Sequence, residues 1–348
     1  MRIGVDDLLG RGLVAPDRLD EMRGVAERFQ VTLTDEIAGL IDPADPADPI
    51  AAQFVPNGAE LSTAAGELAD PIGDERWSPV PGIVHRYPDR VLLKPSLVCP
   101  VYCRFCFRRE QIGARGAVLD RRALEQAYRY IRQTPEIWEV IVTGGDPLLL
   151  SPRRVAAIVK TLAAIDHVEV IRLHTRVPVV DPGRVTAALI SALTAAKAVY
   201  VVIHANHPRE LTSAVRMAVT RLTGAGIPVL SQSVLLRGVN DDAAVLERLF
   251  RALVAMRVKP YYLHHPDLAR GTGHFRGDIE RGQALMRELR GRASGLCQPT
   301  YVLDIPGGHG KVPIGPGWLH RDETAGEWMV EDCHGVRHRY PPCPVEQT

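Results

Sequence analysis

The sequence has almost no net charge: 42 Lys and Arg against 41 Asp and Glu in 348 residues leave +1 with histidine neutral. That balance offers no broad electrostatic footprint for nucleic acid or for an anionic membrane surface, so neither is an expected partner. No stretch approaches the roughly 18 uninterrupted apolar residues that a membrane-spanning helix needs. Met1 to Gly10 contains Asp6 and Asp7 and lacks the apolar run and small-residue cleavage site of a secretory signal. The expectation is a soluble, cytoplasmic protein. Cysteine is also scarce, six in the whole chain with three inside eight residues, which speaks for metal chemistry in a reducing compartment and against a disulfide framework. What is present, 46% hydrophobic and 24% charged residues, suffices to bury a large core as one large domain or two smaller ones.

From Val5 to Asp42 apolar residues recur at helical spacing, and Asp42 to Pro49 breaks that pattern. Residues 43 to 85 are rich in Pro, Gly and Asp and read as a wrapping segment, so 1–85 is taken as a helical extension. Beyond Arg86 the pattern becomes regular. Strand-like runs near 91–96, 138–143, 168–173, 199–204, 228–234 and 259–264 alternate with helical segments near 120–133, 152–164, 183–196, 209–224, 241–256 and 278–293, with Ser151 and Asp241 as N-caps. Such alternation predicts an α/β fold with a parallel sheet and right-handed crossovers. Six units suggest a partial barrel over 86–304, although periodicity alone leaves a doubly wound open sheet open. The tail, 305–348, has no strong periodicity and reads as irregular.

Either architecture gathers chemistry at the carboxyl ends of the strands. There lie Cys99, Gly144 and Gly145, Thr175 and Arg176, His204, Gln232, and the run His264 to Asp267. Cys99, Cys103 and Cys106 form a CxxxCxxC loop, in which three thiolates can each take one iron of a four-iron cubane and leave the fourth open to a small molecule. A closed zinc site needs a fourth ligand, for which Cys297, Cys333 and Cys343 are the candidates. That alternative makes the protein a non-catalytic zinc-binding module.

CPVYCRFC after a strand resembles the cluster loop of radical S-adenosylmethionine (SAM) enzymes. HRYPDR at 85–90, CRFCFRR at 103–109, GGDPL at 144–148, SQSVLLRGVND at 231–241, DLARGTGHF at 267–275 and PGGHGK at 306–311 resemble, in that order, the lysine 2,3-aminomutases. The resemblance runs from about residue 50 to 335. It implies a partial (β/α)6 TIM-like barrel of the radical SAM type, and an isomerase using a [4Fe-4S] cluster on Cys99, Cys103 and Cys106, SAM, and pyridoxal 5'-phosphate (PLP). The open iron would chelate SAM, with Gly144, Gly145 and Asp146 meeting its methionine amino group. Taken alone, GGDP would read as a strand-to-helix turn.

Lys311 stands among glycines, and an amine there can join an aldehyde cofactor; the resemblance implies that it carries PLP. Arg86 and Arg90 have guanidinium forks suited to the cofactor's phosphate, against a plainer reading as surface partners of Asp89 or Glu75. His204 and Gln232 would contact the nucleoside or a phosphate. For the substrate, the resemblance assigns Arg108 to the carboxylate and Asp267 and Asp304 to a side-chain ammonium. Two acids favour lysine over glutamate, since an anionic side chain would be repelled; an aminomutase acting on another amino acid, such as ornithine, is the alternative. Arg104 and Arg109 read as structural.

The same resemblance implies an external electron donor such as flavodoxin or ferredoxin, and leaves homo-oligomers open. The chain also departs from the family. Cys333 and Cys343 alone stand where clostridial-type enzymes carry a zinc-binding cluster, and His264 replaces a tyrosine. PYYLH resembles the shorter relatives that prepare lysine for attachment to elongation factor P, so the product's destination is either free β-lysine or that factor.

Overall fold

The computed structural model describes residues 2–113, 118–322 and 327–341. Arg2–Ile3 (β1) and Leu33–Thr34 (β2) pair antiparallel around helices Val5–Gly10 (α1) and Leu19–Arg28 (α2). Asp35–Ala38 (α3) and Pro49–Phe54 (α4) follow. Their apolar faces, through Leu8, Met22, Ile37, Ile50 and Phe54, join the same hydrophobic cluster as the main sheet.

That sheet contains Ile83–Tyr87 (β3), Arg90–Ser96 (β4), Glu139–Gly144 (β5), Val170–Thr175 (β6), Ala198–His204 (β7), Val229–Val234 (β8), Val258–His264 (β9), Thr300–Asp304 (β10) and Lys311–Pro313 (β11). Strands β4 to β10 run parallel, and β3 and β11 lie antiparallel at the two edges. Runs such as Val140–Val142 and Val201–Ile203 are buried throughout, as a parallel sheet under helices requires. The crossovers carry Arg121–Arg132 (α5), Pro152–Ala163 (α6), Val177–Val180 (α7), Ala187–Leu193 (α8), Ser213–Gly224 (α9), Ala243–Ala255 (α10) and Ile279–Arg292 (α11).

Strand order decides between the two architectures left open by periodicity. Neighbours follow chain order from β3 to β11 without a reversal, so there is no switch point of a doubly wound sheet. The sheet curls until its edges meet: the Lys311 N–H on β11 donates to the Tyr87 hydroxyl on β3 at 2.7 Å, and the Trp77 indole donates to the Gly308 carbonyl at 3.1 Å. This is a partial barrel with its seam at Lys311.

Three details differ from the periodic reading. Asp242, not Asp241, caps α10, accepting from the Val245 N–H at 3.0 Å, while Asp241 accepts from Gly238 in the preceding turn. The expected helix over 183–196 splits, because Pro182–Arg184 forms a 3-10 turn and Thr186 starts α8 with its own cap on Leu189. The tail also carries strands, Leu319–Asp322 (β12), Glu327–Glu331 (β13) and Arg337–Tyr340 (β14), paired as an antiparallel meander. Its polar residues on both faces hid the alternation. No helix among the described residues is long and apolar enough to cross a membrane.

Candidate active site

The loop 97–113 leaves β4 and is tied down along its length. Gly113 N–H donates to Leu97 O, Tyr102 N–H to Thr32 O, and Arg104 N–H to Gln53 O. Cys99, Cys103 and Cys106 are partly buried free thiols on it. Burial pushes all three thiols up, and around Cys99 and Cys106 the neighbouring thiols add to the effect. Burial disfavours all three as free thiolates, and binding to the irons of a cluster is chemistry that this donor set fits. Among the described residues no three His, Cys, Asp or Glu converge on a single metal ion.

Two of the three candidate fourth ligands for zinc lie away from the cluster loop. Cys297 is buried just before β10, and Lys259 near the start of β9 donates to the Leu296 and Gln298 carbonyls around it. Cys333 packs against Gly291 in the last turn of α11. Both lie at the amino ends of the strands, opposite the cluster loop. Cys343 lies outside the described residues, and so does any zinc pairing with Cys333.

At the end of β5, Gly145 N–H donates to Ser96 O and Asp146 N–H to Val98 O, stitching GGD to the start of the cysteine loop. A Cβ on Gly145 would sit 2.4 Å from the Val98 carbonyl oxygen. Gly145→Ala therefore forces the loop off its support, and we expect reconstituted protein to hold less iron and sulfide per chain and to melt at lower temperature; full cluster content would refute the close-approach argument. The Asp146 carboxylate is fully engaged by the Thr175 hydroxyl (2.7 Å) and the N–H groups of Leu148, Arg176 and Val177. Its backbone N–H is spent on Val98 O and its carbonyl accepts from the Leu149 N–H at 3.1 Å, so what it can offer a ligand is the second lone pair of that carbonyl.

Around the seam, Lys311 Nζ donates to Asp304 Oδ2 and lies 3.2 Å from His264 Nδ1 and 5.5 Å from the Tyr262 ring centre. Asp304 is held low against burial by His264 and Lys311, whereas burial and then Asp304 push Asp267 up. In the resting chain Lys311 itself is the cation paired with Asp304. Arg108 is buried and donates from Nε to Asp74 Oδ2 at 2.8 Å. Arg86 donates to the Ile72 carbonyl and stands 3.8 Å from Asp304, with its Nε lacking a partner. Arg90 lies over the Tyr87 ring at 3.8 Å and pairs with Asp89 at 2.6 Å, at the sheet edge.

His204 Nε2 donates to Asn206 Oδ1 at 3.2 Å and the ring is held well below the usual imidazole range by burial. Gln232 stands between His204 and Tyr262 in register. Arg104 and Arg109 converge on the buried Glu60. Sequence reasoning missed Asp74 and Lys94, which flank Arg108, and the Arg176–Glu210 pair beside Cys103. For Lys94 and Arg176 the available signal was charge in or beside a strand-like apolar run; Asp74 offered none.

Residues 93–249 match the Radical SAM superfamily and residues 286–342 match Lysine-2,3-aminomutase. L-lysine 2,3-aminomutase of Clostridium subterminale is 42% identical over 303 residues, 86% of this chain and 73% of that protein. The chain belongs to the lysine 2,3-aminomutase family of radical SAM enzymes. It is therefore an isomerase whose radical chemistry starts from a [4Fe-4S] cluster and SAM. The Bacillus subtilis L-lysine 2,3-aminomutase is 37% identical over 97% of this chain and 71% of its own length. The Glutamate 2,3-aminomutase of Clostridioides difficile, also 37% identical, covers 86% of this chain and 70% of its own. Family membership thus leaves the substrate to be argued from the site.

Proposed function

We propose that this enzyme interconverts L-α-lysine and β-lysine, with PLP on Lys311. The observation that carries the substrate is the pair of partly buried acids at the carboxyl ends of neighbouring strands, Asp267 three residues past β9 and Asp304 at the end of β10, together with the buried Arg108. A glutamate side chain would set a third carboxylate against two. A lysine ammonium instead takes the place that Lys311 Nζ takes in the resting chain.

The residues fit both cofactor sets. Cys99, Cys103 and Cys106 would hold the cluster, the backbone of Gly144, Gly145 and Asp146 would meet the SAM amino group, and His204 and Gln232 would line its nucleoside or a phosphate. Arg86, with an unpartnered Nε, and Arg90 would hold the PLP phosphate. The Gly-rich loop lets Lys311 reach inward: Gly308 has φ +82°, and a Cβ there would meet the Trp77 ring nitrogen at 2.7 Å. When bound, the cluster and SAM supply a 5'-deoxyadenosyl radical, and PLP supplies the carbonyl and conjugated ring for nitrogen migration between carbons 2 and 3. The chain's own work is positional. Arg108 fixes the carboxylate, Asp267 and Asp304 fix the far ammonium, and the backbone carbon between them is held toward SAM. Asp74 and Lys94 orient Arg108.

Reduced, cluster-loaded protein incubated with SAM, PLP and either lysine or glutamate tests this reading. β-Lysine from lysine and no β-glutamate is the expected result; the reverse overturns the substrate. An electron donor of the flavodoxin or ferredoxin class and a product bound for free β-lysine or elongation factor P belong to the same reading. Comparing free lysine with lysine-bearing elongation factor P in cell extract separates the two destinations.

The acids also set a pH dependence. Burial, reinforced by Asp304, pushes the Asp267 carboxyl up to about 7. Only the ionised form pairs with an ammonium, so lysine binding below this value requires loss of a proton. KM for lysine is expected to fall as pH rises toward 7, by at most about tenfold per unit, and to level off above it. Asp267→Asn should raise KM and flatten that profile; an unchanged profile would remove Asp267 from the substrate site.

A further inference from the structure

We propose that Arg176 tunes the reduction potential of the cluster through Cys103. The guanidinium sits at the carboxyl end of β6 with 6% of its surface exposed, and its Nη1 donates to Cys103 Sγ at 3.0 Å. Nη2 is divided between Glu210 Oε2 at 2.7 Å and Gln53 Oε1 at 2.9 Å. Phe54 and Phe105 cover its carbon at 4.6 and 5.4 Å. Its backbone N–H is fixed to Asp146 at 2.7 Å. The cation is almost wholly removed from solvent.

Glu210 is equally fixed. Its Oε1 accepts from the Asn206 and His207 N–H groups, both at 2.8 Å, and Asn206 Nδ2 donates to Gln53 Oε1 at 3.0 Å. Strand ends from β6 and β7 and helix α4 thus converge to hold one guanidinium against one sulfur. Burying an ion pair yields little net stability, and a hydrocarbon pair would seal this part of the barrel as well. The distinguishing feature of the arrangement is that one arm of the cation is spent on a thiolate. Among the three cysteines, Cys106 receives the Arg108 backbone N–H, whereas the side-chain cation is given to Cys103.

The step concerned is the one-electron reduction of the cluster from the 2+ to the 1+ state by an external single-electron donor; no bond changes and no proton moves. The added electron raises negative charge on the ligand sulfurs. A charge-assisted N–H donor at one of them, in a low-dielectric interior, stabilises the reduced state more than the oxidised. Arg176 therefore raises the potential, and Glu210 behind it partly cancels the effect. Hydrogen bonds from outside the ligand set are an established lever on metal centres.

This inference rests on family membership and is independent of PLP and of the substrate. Its test is potentiometric titration, followed by electron paramagnetic resonance, of anaerobically reconstituted full-length protein with iron and sulfide counted per chain. Arg176→Met is expected to shift the midpoint to lower potential, Glu210→Gln to higher, and Arg176→Lys to fall between Met and the parent. Opposite shifts from the two partners are something that a purely structural pair would not produce. Parent-like potentials in both, at full cluster content, overturn the proposal. Should Arg176→Met lose the cluster, Arg176→Lys and Glu210→Gln decide: midpoints below and above the parent support it, and equal midpoints overturn it. Absence of any cluster signal in the parent would instead refute the metal assignment.

Discussion

Lys311→Ala is expected to lose both the borohydride-reducible chromophore with PLP and lysine turnover, the latter by on the order of 10³-fold, or about 4 kcal/mol of barrier. The amine is held at the seam by Asp304 and His264, while Lys94 is paired with Asp74. The second consequence is less intuitive. In the resting chain Lys311 pairs with Asp304, and Asp304 raises the Asp267 carboxyl while Lys311 lowers it. Removing the amine leaves two acids facing a space the size of an alkylammonium. Lys311→Ala should therefore be less stable than the parent near pH 8 and regain stability when millimolar lysine or a short diamine is added, although neither is turned over. Calorimetric binding of 1,4-diaminobutane measures this directly. A chromophore that survives in Lys311→Ala would sink the PLP assignment, and absent diamine binding would sink the substrate subsite; the two failures are separable.

The six central strands and the position of the chemistry at their carboxyl ends were legible because burial on both faces leaves apolar runs that few other structures tolerate. The edges were not. β3 and β11 are short, half-exposed and interrupted by Arg86 and by Pro313, and their pairing depends on curling of the whole sheet. Local alternation did not reveal it. The cysteines and Lys311 stood out through spacing and glycine content. Asp74 did not, lying in a Pro/Gly/Asp-rich wrap where an acid looks solvated, yet it is almost wholly buried beneath Arg86, Lys94 and Arg108. The Gln53–Arg176–Glu210 network draws on three segments far apart in the chain, and no spacing rule links them. Arg90 pairs with the adjacent Asp89 in the resting chain, a contact that it would exchange for a phosphate.

Glu60→Gln should be the most destabilising single substitution outside the chemistry. Glu60 has no exposed side-chain surface and accepts from Arg104 Nε at 2.9 Å, Arg104 Nη2 at 2.5 Å, Arg109 Nη2 and the Asn57 N–H at 2.8 Å. The two arginines are equally buried and stand in the cysteine loop, one beside Cys103 and one three residues past Cys106. They already share a single carboxylate. Arg109 leans on the Arg104 and Gly271 carbonyls and on the Phe29 ring at 3.6 Å, and Arg104 on the Gln30 carbonyl. Neutralising Glu60 leaves two uncompensated cations in the interior, a loss of roughly 3–5 kcal/mol. In a chain of this size that corresponds to a Tm lower by roughly 5 °C. The contrasting substitution is Glu125→Gln on α5, which removes the same charge from an exposed pair with Arg132 and should leave Tm almost unchanged. Because Arg104 and Arg109 anchor the loop that presents the thiols, Glu60→Gln should also lower iron per chain after reconstitution. A Tm and iron content matching Glu125→Gln would mean that water or a shifted carbonyl replaces the carboxylate, and that the N-terminal layer is not what holds the cysteine loop in place.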